Sequence, residues 1–129
     1  MEIVPYNGNT LAYVGDAVLS LQVRTYLVEE RNIQKPNVLQ KESVKFVSAK
    51  AQALYLQKLL DENKLNEEEV NIVKRGRNAK SDSVAKNVDV VTYRIATGLE
   101  ALWGWLYLSG RKERLEELWR YWLEVKEVL

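Results

Sequence analysis

The sequence predicts an all-α protein built as one domain. Its only two prolines, Pro5 and Pro36, fall where connections between helices are expected. A chain of 129 residues also has the usual size of a single domain. We therefore expect residues 1–129 to form one helical domain. Near its carboxyl end, apolar residues recur at the spacing of one helix face: Leu115, Leu118, Trp119, Trp122 and Val125.

The first two helical segments are predicted from the polar residues at their starts. Asn9 or Thr10 can cap a helix that runs to about Glu29, after a loop that contains Pro5 and Gly8. Asn37 can cap a second segment that extends to about residue 60. Ser48 is itself a good capping residue, so this segment is either continuous or broken there.

The later helices carry clearer start and stop signals. Asn66 followed by Glu69 matches a capping box, and the run from Lys74 to Gly76 predicts a helix end. Polar residues then dominate as far as residue 87, which predicts a basic loop. Asp89 can cap a strongly apolar helix that ends near Ser109-Gly110, and the amphipathic terminal helix follows.

The composition narrows the chemistry available to the chain. It contains no Cys and no His, so thiolate nucleophiles, disulfides and imidazole metal ligands are all excluded. A di-iron helix bundle of the Glu-x-x-His type is excluded for the same reason. Any hydrolytic reaction would use carboxylates, hydroxyls or amines. The absence of Cys fits a cytoplasmic location. The amino terminus lacks a basic flank and a long apolar stretch, which argues against secretion, and no uninterrupted apolar run reaches membrane-spanning length, which argues against membrane insertion.

Two acids stand in predicted buried helices. Asp16 is the only carboxylate between Leu11 and Val28, and Glu100 is the only acid between Val90 and Leu108. A buried ionised carboxylate needs a partner. Each acid could pair with a buried arginine, Arg24 or Arg94, or with backbone donors. Alternatively, the two carboxylates could share a site with a hard cation, for which Mg²⁺ fits best. The pattern alone does not decide between these interpretations.

Small or polar residues lie one turn from each acid. Ala12 and Ser20 flank Asp16, and Ala96 and Gly104 flank Glu100. Such residues leave room for a hydrated ion or for the close approach of another helix. Close packing is the more common use of small residues in a buried helix.

A basic segment precedes the Glu100 helix, although the net charge of the chain is only +1. The guanidinium groups of its arginines, the charges of its lysines and its flexible glycine suit contact with a phosphate backbone. A short basic segment is also often a solvated loop whose charges only improve solubility. The candidate residues for contact with nucleic-acid phosphates are Lys74, Arg75, Arg77, Asn78, Lys80 and Lys86.

The segment Leu11–Leu19, with its Gly15-Asp16-Ala17 core, resembles the ribonuclease III motif that ends in the catalytic aspartate. Leu99–Gly104 resembles the second catalytic helix of that family. Further family acids are replaced here by Ala12, Ala49 and Thr97. These losses are shared with mini-ribonuclease III, the branch without a double-stranded RNA-binding domain, as are the segments Phe46–Ala53, Arg75–Ala79 and Thr92–Arg94. The departures from the branch are Ser20, Gln40 and Leu99.

The resemblance implies a dimeric ribonuclease III-type endonuclease that cleaves double-stranded RNA. The resemblance implies that Asp16 and Glu100 of this chain are catalytic and hold Mg²⁺, for which Mn²⁺ could substitute. The implied substrate is the precursor of large-subunit ribosomal RNA. Two alternatives remain: a helical RNA-binding or assembly module that does not cut, and a protein-interaction domain that uses an exposed tryptophan face. The tryptophans of that face would be Trp103, Trp105, Trp119 and Trp122.

Overall fold

The computed structural model describes residues 6–79 and 89–129, and no strand occurs among them. These residues form six α-helices and one short 3-10 turn. The helices are α1 (Gly8–Glu29), α2 (Pro36–Val47), α3 (Ala49–Asp61), α4 (Glu67–Arg77), α5 (Val90–Leu108) and α6 (Lys112–Val125), and the 3-10 turn is Lys126–Val128. The prediction of an all-α fold is confirmed.

Helix α5 is the central element, because α1, α3 and α4 all pack against it. Its residues 101–106 are all buried. This explains why α5 is apolar almost all round in sequence. Among the described residues, no helix is both long and apolar enough to cross a membrane.

The starts of α1 and α2 differ from the prediction. Helix α1 begins at Gly8, and Asn7 caps it by accepting a hydrogen bond from the Thr10 N–H at 2.8 Å. Helix α2 begins at Pro36, where the missing N–H of proline costs no hydrogen bond. Asn9, Thr10 and Asn37 were therefore the wrong caps, each chosen one or more residues too late.

The segment that could have been continuous or broken is broken at Ser48, and the predicted later caps are confirmed. Ser48 has extended backbone angles, and its hydroxyl accepts a hydrogen bond from the Ala51 N–H at the start of α3. Asn66 and Glu69 form a reciprocal capping box at α4. The Asp89 side chain caps α5 by accepting from the Thr92 N–H.

The predicted stop at Gly76 is wrong. Helix α4 continues to Arg77, and Gly76 is buried inside its last turn. A Cβ at Gly76 would lie 2.5 Å from the Ala101 Cβ and 2.9 Å from the Thr97 carbonyl oxygen. The glycine therefore permits close packing of α4 on α5, and Lys74, Arg75 and Arg77 lie on a helix end, not in a loop.

The amphipathic α6 closes the core, which rules out the exposed tryptophan face. Trp103, Trp105, Trp119 and Trp122 are at most 5% exposed. Trp122 stacks on Tyr55 with ring centroids 4.3 Å apart. The tryptophans therefore stabilise the fold from inside it.

An ion pair joins α6 to the start of α4. Arg114 donates from Nε and Nη2 to the two oxygens of Glu69, both at 2.8 Å, and Glu69 is 1% exposed. Burial alone would raise the pKa of Glu69, but the hydrogen bonds from Arg114 and from the Asn66 N–H outweigh it. The pKa of Glu69 therefore lies below its usual value, and the carboxylate stays ionised.

Candidate active site

The two acids singled out in the sequence meet where α1 crosses α5. Glycines at the crossing allow the approach: a Cβ on Gly15 would overlap the Glu100 carbonyl, and one on Gly104 would overlap the Leu11 carbonyl. Gly15 directly precedes Asp16, and Gly104 lies one turn after Glu100. Close packing is therefore the role of Gly104, and it brings the two carboxyl groups together.

The carboxyl groups of Asp16 and Glu100 interact directly. Burial raises the pKa of Glu100 to about 8, and repulsion from Asp16 together with a hydrogen bond between the two groups contributes to the increase. Glu100 is half-buried, whereas Asp16 is exposed. The expectation that α1 is buried all round was wrong, because Asp16 lies on a face that remains accessible from outside.

Within residues 6–79 and 89–129, neither acid is paired with an arginine. Among the ion pairs of the described residues, none joins Asp16 or Glu100 to Arg24 or Arg94. The interpretation of the acids as two separate ion pairs is therefore wrong. Two carboxyl groups that face each other form the kind of site that attracts a metal ion.

Gln52 of α3 also belongs to this site, although the sequence interpretation did not select it. Its Nε2 lies 3.4 Å from Glu100 Oε2 and 3.0 Å from the Val47 carbonyl oxygen. The side chain is 2% exposed. The available signal was its position: Gln52 precedes Tyr55, Leu56 and Leu59 at helical spacing, which puts a polar amide on an apolar face.

Two of the positions at which the resemblance to ribonuclease III leads to an expectation of further acids, 12 and 97, carry no carboxylate. Ala12 is buried, and the Thr97 hydroxyl donates to the Tyr93 carbonyl oxygen of its own helix at 2.9 Å. In the part of the chain that the structure describes, no group of three or more His, Cys, Asp or Glu residues is arranged to hold a metal. Asp16 and Glu100 are thus the carboxylates of this site among the described residues.

The basic residues lie at the last turn of α4, where the helix dipole favours cations. Lys74, Arg75, Arg77 and Asn78 are all exposed. Arg75 donates from Nη1 to the Tyr6 carbonyl oxygen at 3.2 Å, so it also holds the chain that enters α1. Gly76, between these residues, contacts Ala101, the neighbour of Glu100. Lys80 and Lys86 lie outside the described residues.

Comparisons with known proteins agree with this arrangement. The ribonuclease III domain family matches residues 9–111. The mini-ribonuclease 3 of Enterococcus faecalis is 55% identical over 112 residues, which are 87% of this chain and 84% of that protein. The corresponding protein of Staphylococcus aureus is 54% identical over 87% of this chain and 83% of its own length.

The fold comparison is equally extensive. A crystal structure of a protein from Fusobacterium nucleatum superposes with a TM-score of 0.85 at 31% identity, and covers 95% of this chain and 97% of that one. The names of the sequence relatives are those of a nuclease, which favours an enzyme over an RNA-binding module that does not cut. The chain therefore belongs to the ribonuclease III family, and it is an endoribonuclease of that type.

Proposed function

We propose that the chain cleaves double-stranded RNA in a reaction that depends on Mg²⁺, with Asp16 and Glu100 as catalytic carboxylates and metal ligands. The observation that carries this proposal is the pair of carboxyl groups held together at the α1–α5 crossing, where the pKa of Glu100 rises to about 8. A nearby cation relieves the repulsion between two such groups. Mn²⁺ would be able to substitute for Mg²⁺.

The residues present fit a magnesium ion. Mg²⁺ prefers oxygen ligands and is usually held by one or two carboxylates, while waters and substrate phosphates complete its coordination. Asp16 and Glu100 supply two carboxylates, and the exposure of Asp16 leaves the site open to an RNA phosphate. The ion would lower the pKa of a bound water and stabilise negative charge on the leaving 3′ oxygen.

The chain itself contributes the geometry of the site. Gly15 and Gly104 let α1 and α5 approach closely enough for the two carboxyl groups to meet. Glu100 must lose its proton before it can act as a ligand, and a cation bound beside it would favour the ionised form. Asp16, on the open face, would be the carboxylate nearer to the incoming backbone.

We propose that Lys74, Arg75, Arg77 and Asn78 contact the phosphates of the duplex, together with Lys80 and Lys86. The exposed positions of the first four at the end of α4 support this assignment. Such contacts position a duplex without reading its sequence, so recognition would follow A-form shape and 2′-hydroxyl groups. Binding by this one surface should weaken strongly as salt is added.

We propose that the active form is a homodimer. Helix α1 exposes an apolar face on which Tyr13 is 82%, Leu21 is 68% and Val28 is 49% exposed. Large exposed apolar residues at helical spacing are typical of a surface that another chain covers. A second copy would bring two sites together, one for each RNA strand.

The biological setting and the domain limits are further proposals. The resemblance to mini-ribonuclease III supports the precursor of large-subunit ribosomal RNA as the substrate and a cytoplasmic location. We also propose that one catalytic domain spans residues 1–129, beyond the matched residues 9–111. The packing of Trp119 and Trp122 of α6 in the core supports this extension.

A cleavage assay tests the proposed reaction. The full chain is incubated with a long RNA duplex and, separately, with one of its single strands, in Mg²⁺, in Mn²⁺ or in EDTA. We expect the duplex to be cut into short double-stranded products in either metal and to remain intact in EDTA. Equal cutting in EDTA would overturn the metal dependence, and binding of the duplex without cutting in Mg²⁺ would overturn the enzymatic assignment.

A further inference from the structure

Gln52 is a polar side chain in an apolar environment. Tyr55, Leu56 and Leu59, which follow it at helical spacing on α3, are each at most 1% exposed. Gln52 itself is 2% exposed. An apolar side chain would fill this position without the cost of removing an amide from water, so the glutamine calls for another explanation.

The break between α2 and α3 fixes the orientation of the Gln52 amide. In a continuous helix the Ala51 N–H would donate to the Val47 carbonyl, but at the break it donates to the Ser48 hydroxyl at 3.2 Å. The Val47 carbonyl oxygen accepts instead from Gln52 Nε2 at 3.0 Å. A flipped amide would set two oxygen atoms against each other, so Nε2 must face this carbonyl.

With this orientation, the same nitrogen also faces the active site. Nε2 lies 3.4 Å from Glu100 Oε2, and an amide nitrogen carries two hydrogens, one for each acceptor. Gln52 Oε1, in contrast, is buried and has no hydrogen-bond partner among the residues that the structure describes. An unpartnered buried acceptor disfavours folding. The stability of the fold therefore does not explain why an amide occupies this position. Its Nε2, in contrast, has an identified acceptor for each hydrogen, Val47 and Glu100.

We propose that Gln52 is a positioning residue that holds the Glu100 carboxylate in the orientation that faces Asp16. The inference rests on the proposed role of these two acids as metal ligands. A hydrogen bond from Nε2 is strongest when Glu100 is ionised, which is the form that binds a cation. Residues that orient a metal ligand in this way typically contribute about 10- to 100-fold to metal affinity or activity.

The variant Gln52→Met tests the proposal, because methionine has a similar length but no N–H donor. Its matched control is Gln57→Met on the exposed side of α3, where the amide donates to Asp61 Oδ1 at 2.9 Å. Mn²⁺ affinity is measured on the RNA-free protein by electron paramagnetic resonance. Duplex cleavage gives kcat and KM, and thermal unfolding gives Tm.

We expect Gln52→Met to lower Mn²⁺ affinity and kcat by about 10- to 100-fold, with KM for the duplex unchanged. Its Tm should stay close to that of the parent, because loss of the Val47 hydrogen bond is offset by removal of the unpartnered Oε1. Gln57→Met should match the parent in all measurements. A purely structural glutamine would lower Tm and leave the Mn²⁺ affinity of the folded protein unchanged.

Unchanged Mn²⁺ affinity and kcat in folded Gln52→Met would overturn the inference. If this variant does not fold, the same comparison is made with Gln52→Asn, whose shorter side chain cannot reach both acceptors. Asp16→Asn is measured alongside. If Asp16→Asn loses Mn²⁺ binding and the Gln52 variant does not, only the positioning role fails; if Asp16→Asn also binds normally, the proposed metal site fails with it.

Discussion

The burial of the Glu100 carboxyl group beside Asp16 makes the stability of the fold depend on pH. The pKa of this group is raised to about 8 in the folded, metal-free protein, above the ordinary value of 4.5. The unfolded chain therefore ionises Glu100 at lower pH than the folded chain does. The stability that protonated Glu100 provides is fully present below pH 4.5 and is lost as the pH rises through about 8.

This difference predicts how Glu100→Gln changes stability with pH. In EDTA, the variant and the parent should have similar Tm at pH 5, and the variant should be the more stable of the two at pH 9, because glutamine cannot ionise. Thermal unfolding followed by circular dichroism at both values measures the difference. Glu113→Gln, which alters an exposed acid of α6, is the control and should show no such divergence. A constant Tm difference across this range would contradict the raised pKa.

The two acids could be predicted from the sequence, but the exposure of Asp16 and the contact of Glu100 with Gln52 could not. Asp16 and Glu100 stood out because each is the only acid of a long apolar stretch, Leu11–Val28 and Val90–Leu108 respectively. The sequence did not reveal that Asp16 is exposed, because apolar residues such as Tyr13 and Leu21 face outward on α1. Gln52 was missed because its partners, Val47 and Glu100, depend on a helix break and on a contact 48 residues away in sequence.

At the scale of elements, the crossing of α1 and α5 depends on two glycines. Helix propensity alone would make Gly104→Ala stabilising by about 1 kcal/mol. The structure predicts the opposite, because the added Cβ would overlap the Leu11 carbonyl. We expect a net loss of about 2 kcal/mol or more in the free energy of unfolding.

Urea unfolding measures this effect, with Gly110→Ala as the control. Gly110 has φ of +75° and nothing within 4 Å of an added Cβ, so alanine there costs only backbone strain. Gly104→Ala should be the more destabilising change and should also reduce cleavage, because it separates the two acids. A Gly104→Ala protein as stable as the parent would rule out the close crossing.

The elements also differ in how clearly their sequences define them. The caps at Asn66 and Asp89 were predictable because the side chain and its backbone partner are three residues apart. Gly76 was misread because a glycine after basic residues is a common helix stop, and the same glycine can serve close packing. The close approach of Thr97 and Ala101 of α5 to Gly76 shows that this glycine serves close packing and does not end the helix.

At the scale of the whole molecule, the exposed apolar face of α1 predicts self-association. Sedimentation equilibrium should give twice the 15.0 kDa mass of the chain. Leu21→Glu places a charge on this face and should shift the protein to monomer and reduce cleavage. Leu54→Glu, at a residue of α3 that is 43% exposed, is the control and should remain dimeric. A monomeric parent at micromolar concentration would contradict the homodimer.

Asp16 and Glu100 together are proposed to hold the metal ion on which cleavage of double-stranded RNA depends. The most direct test is duplex cleavage in Mg²⁺ by Asp16→Asn and Glu100→Gln, compared with the parent and with Glu113→Gln. Circular dichroism and a duplex-binding assay confirm that each variant is folded and still binds RNA. Both active-site variants should lose cleavage by several orders of magnitude, whereas Glu113→Gln should cleave the duplex as the parent does. Near-parental cleavage by either folded active-site variant would contradict this proposal.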